Sequence, residues 1–80
     1  MLVRVRQRID AGRLPLFMPT TISAGYGTGA EVCQLCDLGI SAEQTMYEVS
    51  DPRTSRLLGF HFACYVLWQR ECSQRLASRK

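Results

Sequence analysis

Apolar residues recur at helical spacing among polar ones over residues 2–11, which predicts a short N-terminal helix. The apolar positions of this stripe are Leu2, Val5 and Ile9. Gly12 suits the position just after a helix, and Pro15 cannot continue one. A longer helical pattern covers residues 61–78, which contain neither proline nor glycine. Its expected buried stripe consists of Tyr65, Trp68, Cys72 and Leu76.

The middle of the chain follows a strand pattern. Residues 45–49 alternate and are rich in β-formers, residues 51–55 have turn chemistry, and residues 57–60 read as the returning strand of a hairpin. Residues 13–31 show neither period, so we expect an irregular arm there. It includes an apolar extended stretch and the glycine-rich segment 25–29, which we expect to pass close to the cysteine pair that follows.

Length and composition indicate one globular domain. The chain has 80 residues, 46% of them hydrophobic and 21% charged. We divide this domain into residues 1–30, a helix and irregular arm, and residues 31–80, a metal-binding module. A chain this short buries a small core and often depends on an additional constraint such as a metal ion.

Four potential metal ligands occur as two close pairs, C-x2-C and H-x2-C. They are Cys33, Cys36, His61 and Cys64. A tight turn can direct both sulfurs of the first pair at one point, and the second pair lies at i and i+3 on a helix. Thiolate and imidazole are the donors of tetrahedral structural zinc sites. The spacing therefore predicts one structural zinc ion.

Other uses of the cysteines are weaker alternatives. An even cysteine count is compatible with disulfides, but the first eight residues lack the apolar core of a signal peptide. No segment approaches the length of a membrane span, so we expect a cytoplasmic protein with reduced thiols and no membrane contact. A redox C-x2-C would need a βαβ setting that this sequence does not show. Buried, metal-free thiols are a further alternative.

Cys72 falls outside the predicted ligand set. Eight residues of helix separate it from Cys64, or about 12 Å at about 1.5 Å per residue, so the two cannot share one ion. We expect Cys72 to pack on the inner face of the helix, with a surface thiol as the alternative.

The order of knuckle, hairpin and helix resembles a treble-clef zinc finger. The Cys-Cys-His-Cys ligand order is similar to one half-site of LIM domains and to the finger of poly(ADP-ribose) polymerases. The resemblance implies a small α+β zinc-binding domain with one ion, since the chain has no second ligand set. The motifs also resemble small uncharacterised bacterial proteins. The shared motifs are Gly12-Arg13-Leu14-Pro15 and His61-x-x-Cys64-x-x-x-Trp68-x-x-Glu71. The glycines before Cys33 match apart from their spacing, because three residues rather than two separate Gly29 from Cys33.

The net charge of +3 is unevenly distributed. Residues 31–52 carry five acids and no base, whereas the two ends are rich in arginine. One interpretation is a nucleic-acid surface at the two ends. The candidate polyanion-binding residues are Arg4, Arg8, Arg70, Arg75 and Arg79. The other interpretation is ordinary solvated faces with ion pairs between these arginines and the acids.

No catalytic constellation is present in the sequence. The single histidine is assigned to the metal, and four protein ligands leave no open position for catalysis. A phosphate-binding loop at the glycines lacks the flanking strand and lysine. So small a core cannot easily bury four further apolar side chains of the arm. These residues form either a cover for the metal module or an exposed patch for a partner. They are Leu14, Leu16, Phe17 and Met18.

The sequence thus predicts a non-catalytic zinc-stabilised binding module. We favour a protein-interaction adaptor or small regulator, with an unidentified protein partner. A DNA- or RNA-binding zinc finger is the alternative, and a homodimer is compatible with either.

Overall fold

The computed structural model describes residues 2–19 and 21–78. They form two helices and five strands. The elements are α1 (Leu2–Asp10), β1 (Ser23–Tyr26), β2 (Glu31–Val32), β3 (Gly39–Ile40), β4 (Thr45–Ser50), β5 (Leu57–His61) and α2 (Phe62–Ala77). The predicted α+β class, the hairpin and both helices are confirmed.

Helix α1 buries one narrow face and ends shortly before Gly12, as the sequence predicted. Val5 and Ile9 are buried, whereas Leu2 is largely exposed. Gly12 has φ 75°, and its N–H donates to the Ile9 carbonyl at 3.0 Å. The Arg13 N–H donates to the Arg8 carbonyl at 2.8 Å. These two bonds form a Schellman cap, in which the left-handed residue satisfies the last helical carbonyls and turns the chain.

The main sheet has three antiparallel strands in the order β1-β4-β5. Strand β1 pairs with β4 from Ser23 opposite Glu48 to Tyr26 opposite Thr45. The prediction of an irregular arm over residues 13–31 was wrong here. All four β1 residues are exposed, so the strand lacks the alternation of apolar and polar residues from which a strand is predicted.

A second, two-stranded sheet carries the first cysteine pair. Strands β2 and β3 are antiparallel, and the turn between them bears Cys33 and Cys36. Asp37 in this turn has φ 64°, and its N–H donates to the Cys33 carbonyl at 3.1 Å. The Gln34 N–H donates to the Gly59 carbonyl at 2.9 Å, which joins the turn to β5. We call residues 33–37 the knuckle.

Gly27 comes close to this small sheet. A Cβ atom there would lie 3.3 Å from the carbonyl oxygen of Ile40 in β3. The glycine thus allows close approach of the arm to the strand leaving the knuckle.

The core lies between α2, the main sheet and the arm. Trp68 and Cys72 are fully buried on the predicted stripe, and Tyr65 is buried beside them. Leu76 on the same stripe is half-buried. The rings of Phe60 and Trp68 stack with centroids 5.3 Å apart. Cys72 therefore packs inward as predicted.

The arm covers this core from the other side. Leu14 is 2% exposed and belongs to the core, so it cannot contribute to a partner patch on the folded surface. Leu16 and Phe17 pack against the core, and the Phe17 ring meets Trp68 edge-on at 5.7 Å. Of the four predicted patch residues, Met18 alone is exposed. The larger part of the predicted patch is therefore a cover.

Within the part of the chain that the structure describes, neither helix combines the length and apolar character needed to cross a bilayer.

Candidate metal centre

The four predicted ligands come from three elements that meet at the knuckle. Cys33 and Cys36 lie in the turn between β2 and β3, His61 is the last residue of β5, and Cys64 is in the first turn of α2. His61 has extended backbone geometry as the N-cap of α2. The strand-to-helix junction therefore aims the second ligand pair at the first.

The ligand atoms form a compact cluster. The three sulfurs and one imidazole nitrogen all lie within 4.8 Å of one another. The Cys36 Sγ atom and the His61 Nδ1 atom are 3.4 Å apart. Tetrahedral bonds of about 2.3 Å to sulfur and about 2.0 Å to nitrogen place neighbouring ligand atoms about 3.5–3.8 Å apart. The cluster therefore fits one tetrahedral metal ion, and its thiols form no disulfide.

A backbone carbonyl fixes the orientation of the imidazole. The other ring nitrogen of His61, Nε2, lies 3.2 Å from the Gly39 carbonyl oxygen. Donation from Nε2–H to this oxygen leaves the Nδ1 lone pair directed at the three sulfurs. Such outer contacts set the tautomer and ring angle of metal-binding histidines. Gly39 was not predicted as part of the site, because a backbone acceptor has no sequence signature.

The protein environment affects the thiols unequally. Burial opposes ionisation of Cys33, but backbone N–H groups of Cys36, His61 and Leu35 outweigh it and lower the pKa of the Cys33 thiol to about 7. Burial, followed by the nearby charge of Cys33, raises the pKa of the Cys64 thiol to about 12. A thiolate is thus favoured at the knuckle, while a second one beside it requires a cation.

Two arginines of α1 hold the knuckle from outside. The Arg4 Nη1 donates to the Cys36 carbonyl at 3.1 Å, and the Arg8 Nη1 donates to the Gln34 carbonyl at 2.9 Å. Arg8 also forms a two-pronged ion pair with Asp37. Both residues were candidates for polyanion contact. Their side chains instead bind the backbone and an acid of the knuckle.

The remaining candidate cations differ in their contacts. Arg75 pairs with Glu71 of its own helix at 2.8 Å and with Asp10 at 2.7 Å, and the second pair links α2 to α1. Arg70 is exposed on α2. Arg79 lies outside the described residues. Of the pairs expected between these arginines and the acids of residues 31–52, the Arg8–Asp37 pair is present, whereas the partner of Asp51 is Arg53.

Comparison with known proteins adds no relative. No family model matches the chain, no curated protein matches it, and no solved structure matches it.

Proposed function

We propose that the protein is a non-catalytic binding module, stabilised by one structural zinc ion, that serves as a protein-interaction adaptor or small regulator. The finger is proposed to be a treble clef of the Cys-Cys-His-Cys type. Its knuckle would supply two thiolates, and the junction of β5 and α2 would supply the imidazole and the third thiolate.

The donor chemistry supports zinc as the metal. Three thiolates and one imidazole in a tetrahedral arrangement are typical of structural zinc sites, whereas magnesium and calcium prefer oxygen ligands. The cysteines of the cluster are buried, and the imidazole is held by Gly39. A zinc ion here would offset both the burial and the neighbouring Cys33 charge that raise the pKa of the Cys64 thiol.

The same donor set supports a structural role over catalysis. A catalytic zinc site has three protein ligands and an open position for water or substrate. Here the chain's only histidine and three of its four cysteines converge on one point. All four tetrahedral positions would be taken by protein atoms.

The observation that carries the interaction role is the free edge of β1. This strand pairs with β4 on one side, and within residues 2–19 and 21–78 no strand lies on its other side. Tyr26 is 74% exposed, and Ile22 just before the strand is also exposed. An unpaired edge offers backbone donors and acceptors to an added strand, and apolar side chains beside it supply selectivity.

Nucleic-acid binding has less support. Arg4, Arg8 and Arg75 already have intramolecular partners, and breaking these contacts would offset the gain from phosphate contacts. A salt titration with a DNA duplex distinguishes the alternatives, because each phosphate contact lowers log K by roughly 0.9 per decade of salt. We expect no measurable duplex affinity at about 50 mM salt.

The interaction role is tested by affinity capture with matched variants. The double change Ile22→Ser and Tyr26→Ser removes apolar side chains at the β1 edge, and Leu57→Ser removes another exposed apolar side chain, on β5. We expect wild type and the Leu57 variant to retain the same partner, and the β1 variant to lose it. Sedimentation of the purified chain distinguishes a second copy from a foreign partner. Equal capture by all three proteins would contradict a role for this edge.

A further inference from the structure

A cleft beside the β4–β5 turn has an excess of positive charge. Its volume is about 190 Å³, and it is lined by three arginines and one acid. The charged residues are Arg13, Arg53, Arg56 and Asp51. Three guanidinium groups against one carboxylate leave two positive charges without a counter-charge in the lining. None of these arginines belongs to the metal centre.

The acid in this cleft is already satisfied by one of the arginines. Asp51 is 3% exposed, and its two carboxylate oxygens accept from the Arg53 Nε at 3.1 Å and Nη2 at 3.0 Å. The Arg53 backbone N–H also donates to Asp51, at 2.9 Å. The Arg53 Nη1 donates to the Gly12 carbonyl at 2.8 Å. These hydrogen bonds hold the Asp51–Arg53 pair in place as one side of the cleft.

The other two arginines have no such partner. Within residues 2–19 and 21–78, neither the Arg13 nor the Arg56 guanidinium makes a hydrogen bond or an ion pair to a protein acceptor. Both follow residues in the left-handed region, Gly12 at φ 75° and Ser55 at φ 62°. The Asp51 N–H donates to the Arg56 carbonyl at 2.8 Å and closes the turn. The backbone of each arginine is thus fixed by a turn, and both residues line one cavity.

We propose that this cleft binds a phosphate dianion, either inorganic phosphate or a terminal phosphate monoester. A phosphate monoester carries a charge of about −1.5 to −2 at neutral pH, which matches the two unbalanced positive charges. The planar fork of arginine suits the oxygens of such a group. Gln34 and Thr54 also line the cleft and offer an amide and a hydroxyl.

The size of the cleft limits the ligand. Sites that enclose a drug-sized molecule have volumes of about 300–1,000 Å³. At about 190 Å³, this cleft accommodates the phosphate group and leaves the rest of a larger ligand outside. A phosphodiester backbone carries one charge per group, so the charge match favours a terminal phosphate. The proposal is independent of the β1 edge.

Calorimetric titration of the metal-loaded full chain with inorganic phosphate at low ionic strength tests this site. We expect saturable binding that Arg13→Gln and Arg56→Gln each weaken fivefold or more. Arg70→Gln removes the same charge from an exposed position outside this cleft, and its affinity should stay within twofold of wild type. Absence of saturable binding, or an equal loss in the Arg70 variant, would overturn the proposal.

Two further titrations identify the source of the phosphate. A phosphoserine peptide that binds more tightly than inorganic phosphate, and loses this advantage with Arg56→Gln, supports a phosphorylated protein as the source. Equal affinities support the free ion. An oligonucleotide without terminal phosphates that displaces phosphate at equal phosphate-group concentration would overturn selectivity for the dianion.

Discussion

The indole Nε1–H of Trp68 donates a hydrogen bond of 3.0 Å to the carbonyl oxygen of Pro15. Both residues are buried, and 53 positions separate them in the chain. The Cys72 thiol approaches the same carbonyl at 3.7 Å. This contact fastens the N-terminal arm to α2 and gives a buried backbone acceptor its partner.

Replacement of the indole should weaken the whole fold. Trp68→Phe removes the donor to Pro15 and leaves a gap in the core, which should lower the free energy of unfolding by about 2–4 kcal/mol. Denaturant titration of the zinc-loaded protein measures this loss. Tyr26→Phe, a change at an exposed aromatic residue, should alter stability by about 0.5 kcal/mol or less. Equal effects in the two variants would contradict the role of the Trp68–Pro15 contact.

Metal removal should abolish the native fold. If zinc is structural, its binding free energy is largely folding free energy. Chelation, or Cys33→Ser, is therefore expected to eliminate the cooperative melting transition and the near-ultraviolet circular dichroism of the aromatic core. A chelated chain that keeps both signals would show that the cluster is not required for folding.

The ligand assignment separates His61 from Cys72. Cys72→Ala should retain one zinc ion per chain, since its thiol faces Pro15 rather than the cluster. His61→Ala should lose most of the affinity, because it removes the one nitrogen donor. Metal content after dialysis against a competing chelator measures both effects, and the cobalt-substituted spectrum reports the donor set. The reverse result would require α2 to break between Cys64 and Cys72.

The buried carboxylate that joins the two helices should make stability depend on pH. Glu71 accepts from Arg75 at 2.8 Å and from Arg6 at 3.2 Å, and these bonds hold the pKa of its carboxyl below the usual value despite burial. A lowered folded pKa stabilises the protein at pH values above the unfolded pKa, and this stabilisation is lost as pH falls through the folded value.

The matched variant for this effect is Glu71→Gln. Wild type should exceed it in stability by about 1–2 kcal/mol at pH 7, a value reduced by the exposure of Arg6. This difference in stability should be retained at pH 5 and should decline only at pH values below the ordinary pKa of glutamate. Denaturant titrations of both proteins with zinc present measure it. An excess that has already vanished at pH 5 would contradict a lowered pKa.

The sequence by itself determined the elements whose signals are local. Helical spacing predicted α1 and α2, and alternation with turn residues predicted the β4–β5 hairpin. The two ligand pairs were also predicted, because each pair is a short-range motif whose donors are rare residue types. The inward position of Cys72 followed from the same helical period.

Tertiary structure decided the features that depend on residues far apart in the chain. Strand β1 exists because the edge of β4 offers hydrogen bonds to a segment without hydrophobic alternation. Leu14 is buried because the arm folds back over Trp68, which no local pattern indicates. The pairing of Arg8 with Asp37, 29 positions apart, likewise required the folded chain. Local periodicity shows which face of an element is apolar. Long-range packing decides which strand pairs with a sheet edge, which side chains a residue contacts and which charges form ion pairs.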